Sequence, residues 1–259
     1  MEFQRRQADD DKEEWRMDSA THLLMGISLG GLAFLDPYVA SNPAISHGIL
    51  VATMIGSEIP DIDTISKLKN NAVYIRHHRG ITHSLPAIVI WPILIMLSLY
   101  PLFPEAGPLR LWFWASVAVA THVLADLFNA YGTQAFRPFS AKRVALGWIN
   151  TFDPILFAIF FSGVLLWFFH FHPVKVFPVV FSGAIVYYAI RFFLRSLLRK
   201  SIEKTIPGEK KIILCPTLRF FQWRIAAETE TKLFVGIGFF KHWHILDEFV
   251  RKPYPNFRL

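Results

Sequence analysis

The sequence predicts a mainly α-helical fold: a polytopic membrane domain of about six apolar helices, followed by a small C-terminal antiparallel β unit. Three observations predict it. Of 259 residues, 53% are hydrophobic and 18% charged, with a mean hydropathy of +0.35. That is too apolar for an ordinary soluble domain and too charged for membrane spans alone. The apolar residues gather into long runs before residue 200 and into short β-branched or aromatic runs after it. Lysine and arginine concentrate on alternate connections, the pattern of the positive-inside rule.

Residues 1–16 are polar and rich in acid, and read as a disordered N-terminal extension. The helical membrane domain is expected over 17–200. Its apolar segments run from about Ala20 to Leu35, Ala44 to Ile59, Leu85 to Phe103, Leu109 to Leu127, Pro154 to Phe171 and Val174 to Leu198. The last four approach the roughly 20 residues a helix needs to cross a bilayer, and the first two are short. Lys67, Lys69, Arg76 and Arg79 follow the second segment. Arg137, Lys142 and Arg143 follow the fourth, and five cations from Arg191 to Lys204 lie in or after the sixth. This asymmetry predicts a multi-pass protein of the cell membrane with both termini cytoplasmic. It also accounts for the formal net charge of +7 without nucleic acid as a partner. Residues 201–259 form the β-rich piece, with strands expected at Lys211–Cys215, Gln222–Ala227 and Lys232–Phe239. Its His242 and His244 have no acid at ligand spacing and read as surface histidines. Cys215 is the only cysteine, which excludes an intrachain disulfide.

The chemistry gathers at the predicted cytoplasmic ends of the helices. His22 begins the first segment, and Glu58, Asp61 and Asp63 end the second. His77, His78, Arg79 and His83 precede the third, where Gly80 allows a sharp turn and Ser84 with Pro86 reads as a helix start. His122 and Asp126 share one helical face near the end of the fourth, at i, i+4 spacing. Asp153, directly before Pro154, reads either as a ligand or as an N-cap. Buried acids and imidazoles are costly in a membrane unless paired or metal-bound. Nitrogen and oxygen donors without thiolate suit Zn²⁺, Mn²⁺ or Fe²⁺, and their surplus over four predicts two or more ions. The Gly80 turn can bring His77 or His78 toward His83, and His78 is taken among the candidate ligands.

Thr21-His22, Pro60-Asp61-Ile62-Asp63, His78-Arg79-Gly80-Ile81-Thr82-His83-Ser84 and His122-x-x-x-Asp126 together resemble the YdjM-like membrane-bound metal-dependent hydrolases. Phe128-Asn129-Ala130-Tyr131-Gly132-Thr133 and Asn150-Thr151-Phe152-Asp153-Pro154 resemble the YfhP branch of that family. The resemblance spans roughly residues 17–250. It implies a helical membrane protein related to the zinc-dependent phospholipase C and nuclease fold. It also implies His22, Asp61, His83, His122, Asp126 and Asp153 as ligands, and a link of some members to transcriptional regulation.

The expected function is metal-dependent hydrolysis of phosphoester bonds in lipids or lipid-linked substrates, with membrane lipids as partners. Asp63 or Asp126 would orient water or act as base, and Arg79 would clamp a phosphate in the headgroup plane. The alternative is a non-catalytic membrane regulator with a structural metal, binding a protein partner through the β unit. A transporter is disfavoured, because the polar residues do not continue to the outer face.

Overall fold

The structure is a computed structural model that describes residues 18–68, 78–206, 208 and 211–250. The expected extension over 1–16, together with Lys69, Arg76 and His77, lies outside the described residues. Two compact units form. One contains the described residues up to Leu146 together with Thr151–Ile185. The other contains Gly147–Asn150 and the described residues from Val186 onward.

Helix α1 covers residues 18–32 and tightens into a 3-10 turn at Ala33–Leu35. There follow α2 (Pro37–Ser41), α3 (Pro43–Glu58), a 3-10 run over Ile59–Leu68, a 3-10 turn at Ile81–His83 and α4 (Leu85–Leu99). The remaining helices are α5 (Pro108–Phe128), α6 (Pro154–Phe168) and α7 (Pro173–Thr205). Proline recurs in the first turn, where its missing N–H costs nothing. Asp36, Asn42, Ser84 and Asp153 cap helices with a side-chain oxygen.

The expected lengths need correction. Among the described residues, three helical segments are long and apolar enough to cross a membrane, by length and composition: Asp18–Leu35, Pro108–Phe128 and Pro173–Thr205. The first segment is therefore longer than expected. The third and fifth are shorter, because α4 and α6 have 15 residues each. At about 1.5 Å per residue they span roughly 22 Å, against a hydrocarbon core of about 30 Å. Helix α4 stops before Pro101, and α6 ends where His170 takes a left-handed φ of 64°.

Helices α3, α4 and α5 enclose a core that includes Ile49, Ala52, Ile95, Leu99, Leu111, Ala115 and Val119. Large apolar side chains also face outward, among them Val89, Ile90, Leu97, Phe161 and Phe168. An outward apolar surface on helices of this kind fits lipid contact.

The second unit carries a four-stranded antiparallel meander, β1 (Lys211–Pro216), β2 (Gln222–Glu228), β3 (Lys232–Phe239) and β4 (His242–Val250). Ile212, Leu214, Trp223, Ile225 and Ala227 alternate inward and pack on Leu194, Leu198 and Ile202 from the C-terminal part of α7. Strand β4 was not expected. It is exposed along nearly its whole length, so no in–out alternation of polarity marks it. His242, His244 and Cys215 are all exposed.

Candidate metal centre

Close helix contacts place the polar residues. Gly26 on α1 sits where a Cβ would lie 2.1 Å from Ser57 Oγ and 2.8 Å from Thr53 O. At Gly56 on α3, a Cβ would lie 2.8 Å from that of Ala118. Small residues let these backbones approach. Ser57 thereby meets α5, and its carbonyl lies 2.6 Å from His122 Nδ1. Pro60 stands at the start of the 3-10 run after α3, which presents Asp61 and Asp63. The Ile81–His83 turn presents His83, held by the Trp91 Nε1–H bond to Thr82 O (3.1 Å).

Asp61, His83, His122 and Asp126 converge, with one donor atom from each lying within 4.8 Å of all the others. His83 Nε2 is 3.0 Å from Asp126 Oδ2 and 3.5 Å from Asp61 Oδ1. His122 Nε2 is 3.5 Å and 3.8 Å from the same oxygens. Both histidines and Asp126 have no solvent exposure.

The hydrogen bonds define the tautomers. A carbonyl only accepts, so His122 Nδ1 donates to Ser57 O, and a neutral ring then offers its lone pair at Nε2. Thr82 Oγ1 donates its single proton to Asp63 Oδ2 at 2.9 Å. It can therefore only accept from His83 Nδ1, 3.0 Å away, so the neutral ring of His83 also offers Nε2. The two Nε2 atoms face each other at 3.2 Å. Two lone pairs at that distance repel unless a proton or a cation lies between them. Asp61 Oδ1 and Asp126 Oδ2 are buried beside them without a hydrogen bond.

Electrostatics agree with this geometry. Burial alone would raise Asp61, yet the His122 and His83 imidazoles and Arg79 hold its carboxyl well below the usual range. Burial alone would lower His83, but the neighbouring Asp126 and Asp61 carboxylates outweigh this and raise it above its ordinary value.

A second group, Asp18, His22 and Asp126, lies on the other side of Asp126. His22 Nε2 is 3.6 Å from Asp18 Oδ1 and 3.5 Å from Asp126 Oδ1. Here a positive charge is already present, since Arg79 Nη2 lies 2.6 Å from Asp18 Oδ2 and 3.0 Å from Asp126 Oδ1. Asp18, Asp61 and Asp126 are three buried carboxyls against the one guanidinium of Arg79. If all three are ionised, two negative charges are left over, which protonated imidazoles or one divalent cation would balance. The donor set, its orphaned oxygens and this charge balance all fit a divalent cation in the Asp61–His83–His122–Asp126 group.

The model of the YdjM inner membrane protein family matches residues 17–198. The chain belongs to that family. A YfhP middle-domain model matches residues 207–249. The chain is 48% identical over 241 residues to "Uncharacterized protein YfhP" of Bacillus subtilis (strain 168), covering 93% of this chain and 74% of that protein. No solved structure matches.

Within this YdjM-family chain, His22, Asp61, His83, His122 and Asp126 come together as described. Asp153 does not belong to the three His/Asp groups that could hold an ion. Its Oδ1 accepts from the N–H of Ile155 (3.0 Å) and Leu156 (3.3 Å), which makes it the N-cap of α6. His78 stands beside the buried group, in a less buried set with Asp61 and Asp63, and its Nδ1 is 2.8 Å from Asp63 Oδ1. Asp63 also accepts from Arg79 N at 2.8 Å and from Thr82 Oγ1. These bonds anchor the loop on Asp63. Arg79 is 2% exposed and paired with Asp18 and Asp126. The left-handed residue of the loop is Arg79 (φ 56°), whereas Gly80 has φ −98°. Asp18, Ser57 and Thr82 went unread as site residues. Only Asp18 left a signal, an Asp-x-x-x-His spacing that mirrors His122-x-x-x-Asp126.

Proposed function

We propose that the protein is a membrane-embedded, metal-dependent hydrolase of phosphoester bonds in lipid or lipid-linked substrates. The observation that carries this reading is the pair of facing Nε2 atoms on His83 and His122, flanked by the orphaned oxygens of Asp61 and Asp126. These four residues would hold one divalent cation, with Zn²⁺ favoured and Mn²⁺ or Fe²⁺ as alternatives. Arg79 already supplies positive charge to the Asp18–His22–Asp126 group, so a second ion is less well provided for there. When bound, such an ion supplies Lewis acidity, lowering the pKa of water and polarising a phosphoryl oxygen.

The chain's own residues would do the rest. Asp63 and Thr82 orient His83, Ser57 orients His122, and Arg79 holds Asp126 through its Oδ1. A cavity of about 360 Å³ borders the turn that carries His83, lined by Ile81, Ser84, Pro86, Arg137, Pro138 and Ala141. Arg137 Nε is buried there without a hydrogen bond. One cation among apolar side chains suits an anionic amphiphile. The lysine and arginine asymmetry supports a site near the cytoplasmic face with both termini on that side.

One observation favours a second reading, a regulator with a structural ion. Four buried protein donors can close a tetrahedral site and leave no position for water. Metal content and hydrolysis of bis-(p-nitrophenyl) phosphate, measured on the purified protein, separate the two. The hydrolase reading expects bound metal and turnover, both lost in His83→Ala and His122→Ala and both kept in His47→Ala, at an exposed position of α3. Full metal occupancy without turnover of this diester or of a phospholipid would establish the structural reading instead.

A further inference from the structure

The β sheet has two chemically different ends. At one end lie the β1–β2 loop, Thr217–Phe221, and the β3–β4 turn, Phe239–His242. They are brought together by the pairing of Gln222 with Phe239 and of Phe239 with His242. Leu218 is 61% exposed, and Phe221, Phe239 and Phe240 are exposed as well. Phe221 and Phe240 stack with ring centroids 4.5 Å apart, and Phe220 meets Phe221 edge-on at 4.2 Å. Phe240 takes a left-handed φ of 51°, which is strained for a bulky aromatic. Arg219 and Lys241 are exposed in these segments, and neither segment contains Asp or Glu. The acids of the sheet sit toward the opposite end, where Glu228 is opposite Lys211 and Glu248 is opposite Phe234.

The position of this tip along α7 is defined within the same unit. The Phe220 ring stacks on Tyr187 at 5.7 Å, and the Phe220 carbonyl accepts from Arg191 Nη1. Arg191 is the residue at which α7 changes character. From Val174 to Ile190 its only charge is Lys175, whereas Arg191, Arg195, Arg199, Lys200 and Lys204 follow. An apolar helix that turns basic crosses the membrane–water boundary at that point.

We propose that this tip, Leu218, Phe221 and Phe240 with Arg219 and Lys241, inserts into the headgroup region of the bilayer and binds anionic lipid. Aromatic rings settle at the headgroup level, long cationic side chains reach up to phosphates, and desolvation of the exposed rings holds the sheet down. An acid-free tip selects an anionic leaflet over a neutral one. The proposal requires α7 to enter the membrane but is independent of any hydrolytic activity.

The test uses the full chain with Cys215→Ser, carrying an environment-sensitive fluorophore on Leu218→Cys, or on Glu230→Cys at the opposite end. Each is reconstituted into vesicles of phosphatidylcholine with or without phosphatidylglycerol. The Leu218 label is expected to emit at shorter wavelength, lose intensity to brominated lipid and resist aqueous iodide, most strongly with phosphatidylglycerol. The Glu230 label should be quenched by iodide alone. Adding Arg219→Glu with Lys241→Glu should remove the preference for phosphatidylglycerol. Equal iodide quenching at both positions would overturn the proposal. Shielding of the Leu218 label from both quenchers would also overturn it, because protein would then cover the tip. Quenching by brominated lipid that ignores phosphatidylglycerol and the charge reversal would overturn the anionic-lipid assignment.

Discussion

Two regions of this chain bury charged side chains completely, and they do so in opposite ways. In the C-terminal unit, Arg191 has no solvent exposure. It donates from Nε to Trp148 O at 2.9 Å and from Nη1 to Phe220 O, and its guanidinium lies 4.4 Å from the Trp223 ring centre. Fixed carbonyls and an aromatic face surround it, which is the environment of a structural cation. Around Asp126, the buried groups aim lone pairs and carboxylate oxygens at each other, and several find no hydrogen bond. Burial of charge alone therefore says little about function. What separates the two regions is that Arg191 donates from Nε and Nη1 to protein carbonyls, whereas the groups around Asp126 turn acceptor atoms toward one another.

The largest expected effect is at Asp126, which both donor groups share. Asp126→Asn should reduce bound metal to background by elemental analysis, whereas His47→Ala, at an exposed position of α3, leaves it intact. Arg191→Leu should reverse the pattern. It leaves two partly buried carbonyls without these donors and should destabilise the β unit by roughly 3 kcal/mol, read as a lower melting temperature, while metal content is unchanged. If Arg191→Leu empties the site, the contrast between the regions fails.

Thr82→Val sharpens the comparison, because it removes only the hydroxyl that sets the His83 tautomer. Orienting contacts of this kind typically contribute about 10–100-fold in metal affinity, so a competition titration should weaken by that factor. The pH dependence follows from His83. Its pKa is raised, so the metal must displace a proton, and affinity should fall as pH drops below the raised value, by up to about tenfold per unit for each proton displaced. The metal-free protein should behave oppositely. The stabilisation from charged His83 is complete below the unfolded pKa of about 6.5 and is lost as pH rises through the raised value. Smallest of all should be Asp36→Asn, which breaks the partly exposed pair with Arg110 (3.3 Å) and should shift stability by less than about 1 kcal/mol.

Sequence made the site legible where spacing reports geometry directly. The i, i+4 pair His122 and Asp126 had to share a helical face, and proximity to helix ends gathered His22, Asp61 and His83. It was silent where the answer depends on what a side chain meets in three dimensions. Arg79 and Arg137 are both loop arginines in the sequence, yet one is locked between Asp18 and Asp126 and the other lines a cavity. Asp153 illustrates an ambiguity that geometry resolves, since an acid before proline serves equally as ligand or as cap until its acceptor bonds are seen. In the β unit, short β-branched or aromatic runs between turn residues revealed three strands. Strand β4 buries almost nothing and left no such trace.

The two oxygens of Asp126 face different groups, Oδ2 toward His83 and His122 and Oδ1 toward His22 and Arg79. This sharing constrains how descendants of the chain can diverge. A substitution at Asp126 alters both groups at once, so selection cannot tune one while sparing the other through that position. Independent drift of these two groups must pass through residues they do not share, Asp18 and His22 on one side, Asp61, His83 and His122 on the other. A lineage that loses Asp18 while keeping Asp61 would therefore be expected to change at Arg79 in the same interval, since that guanidinium pairs with both Asp18 and Asp126.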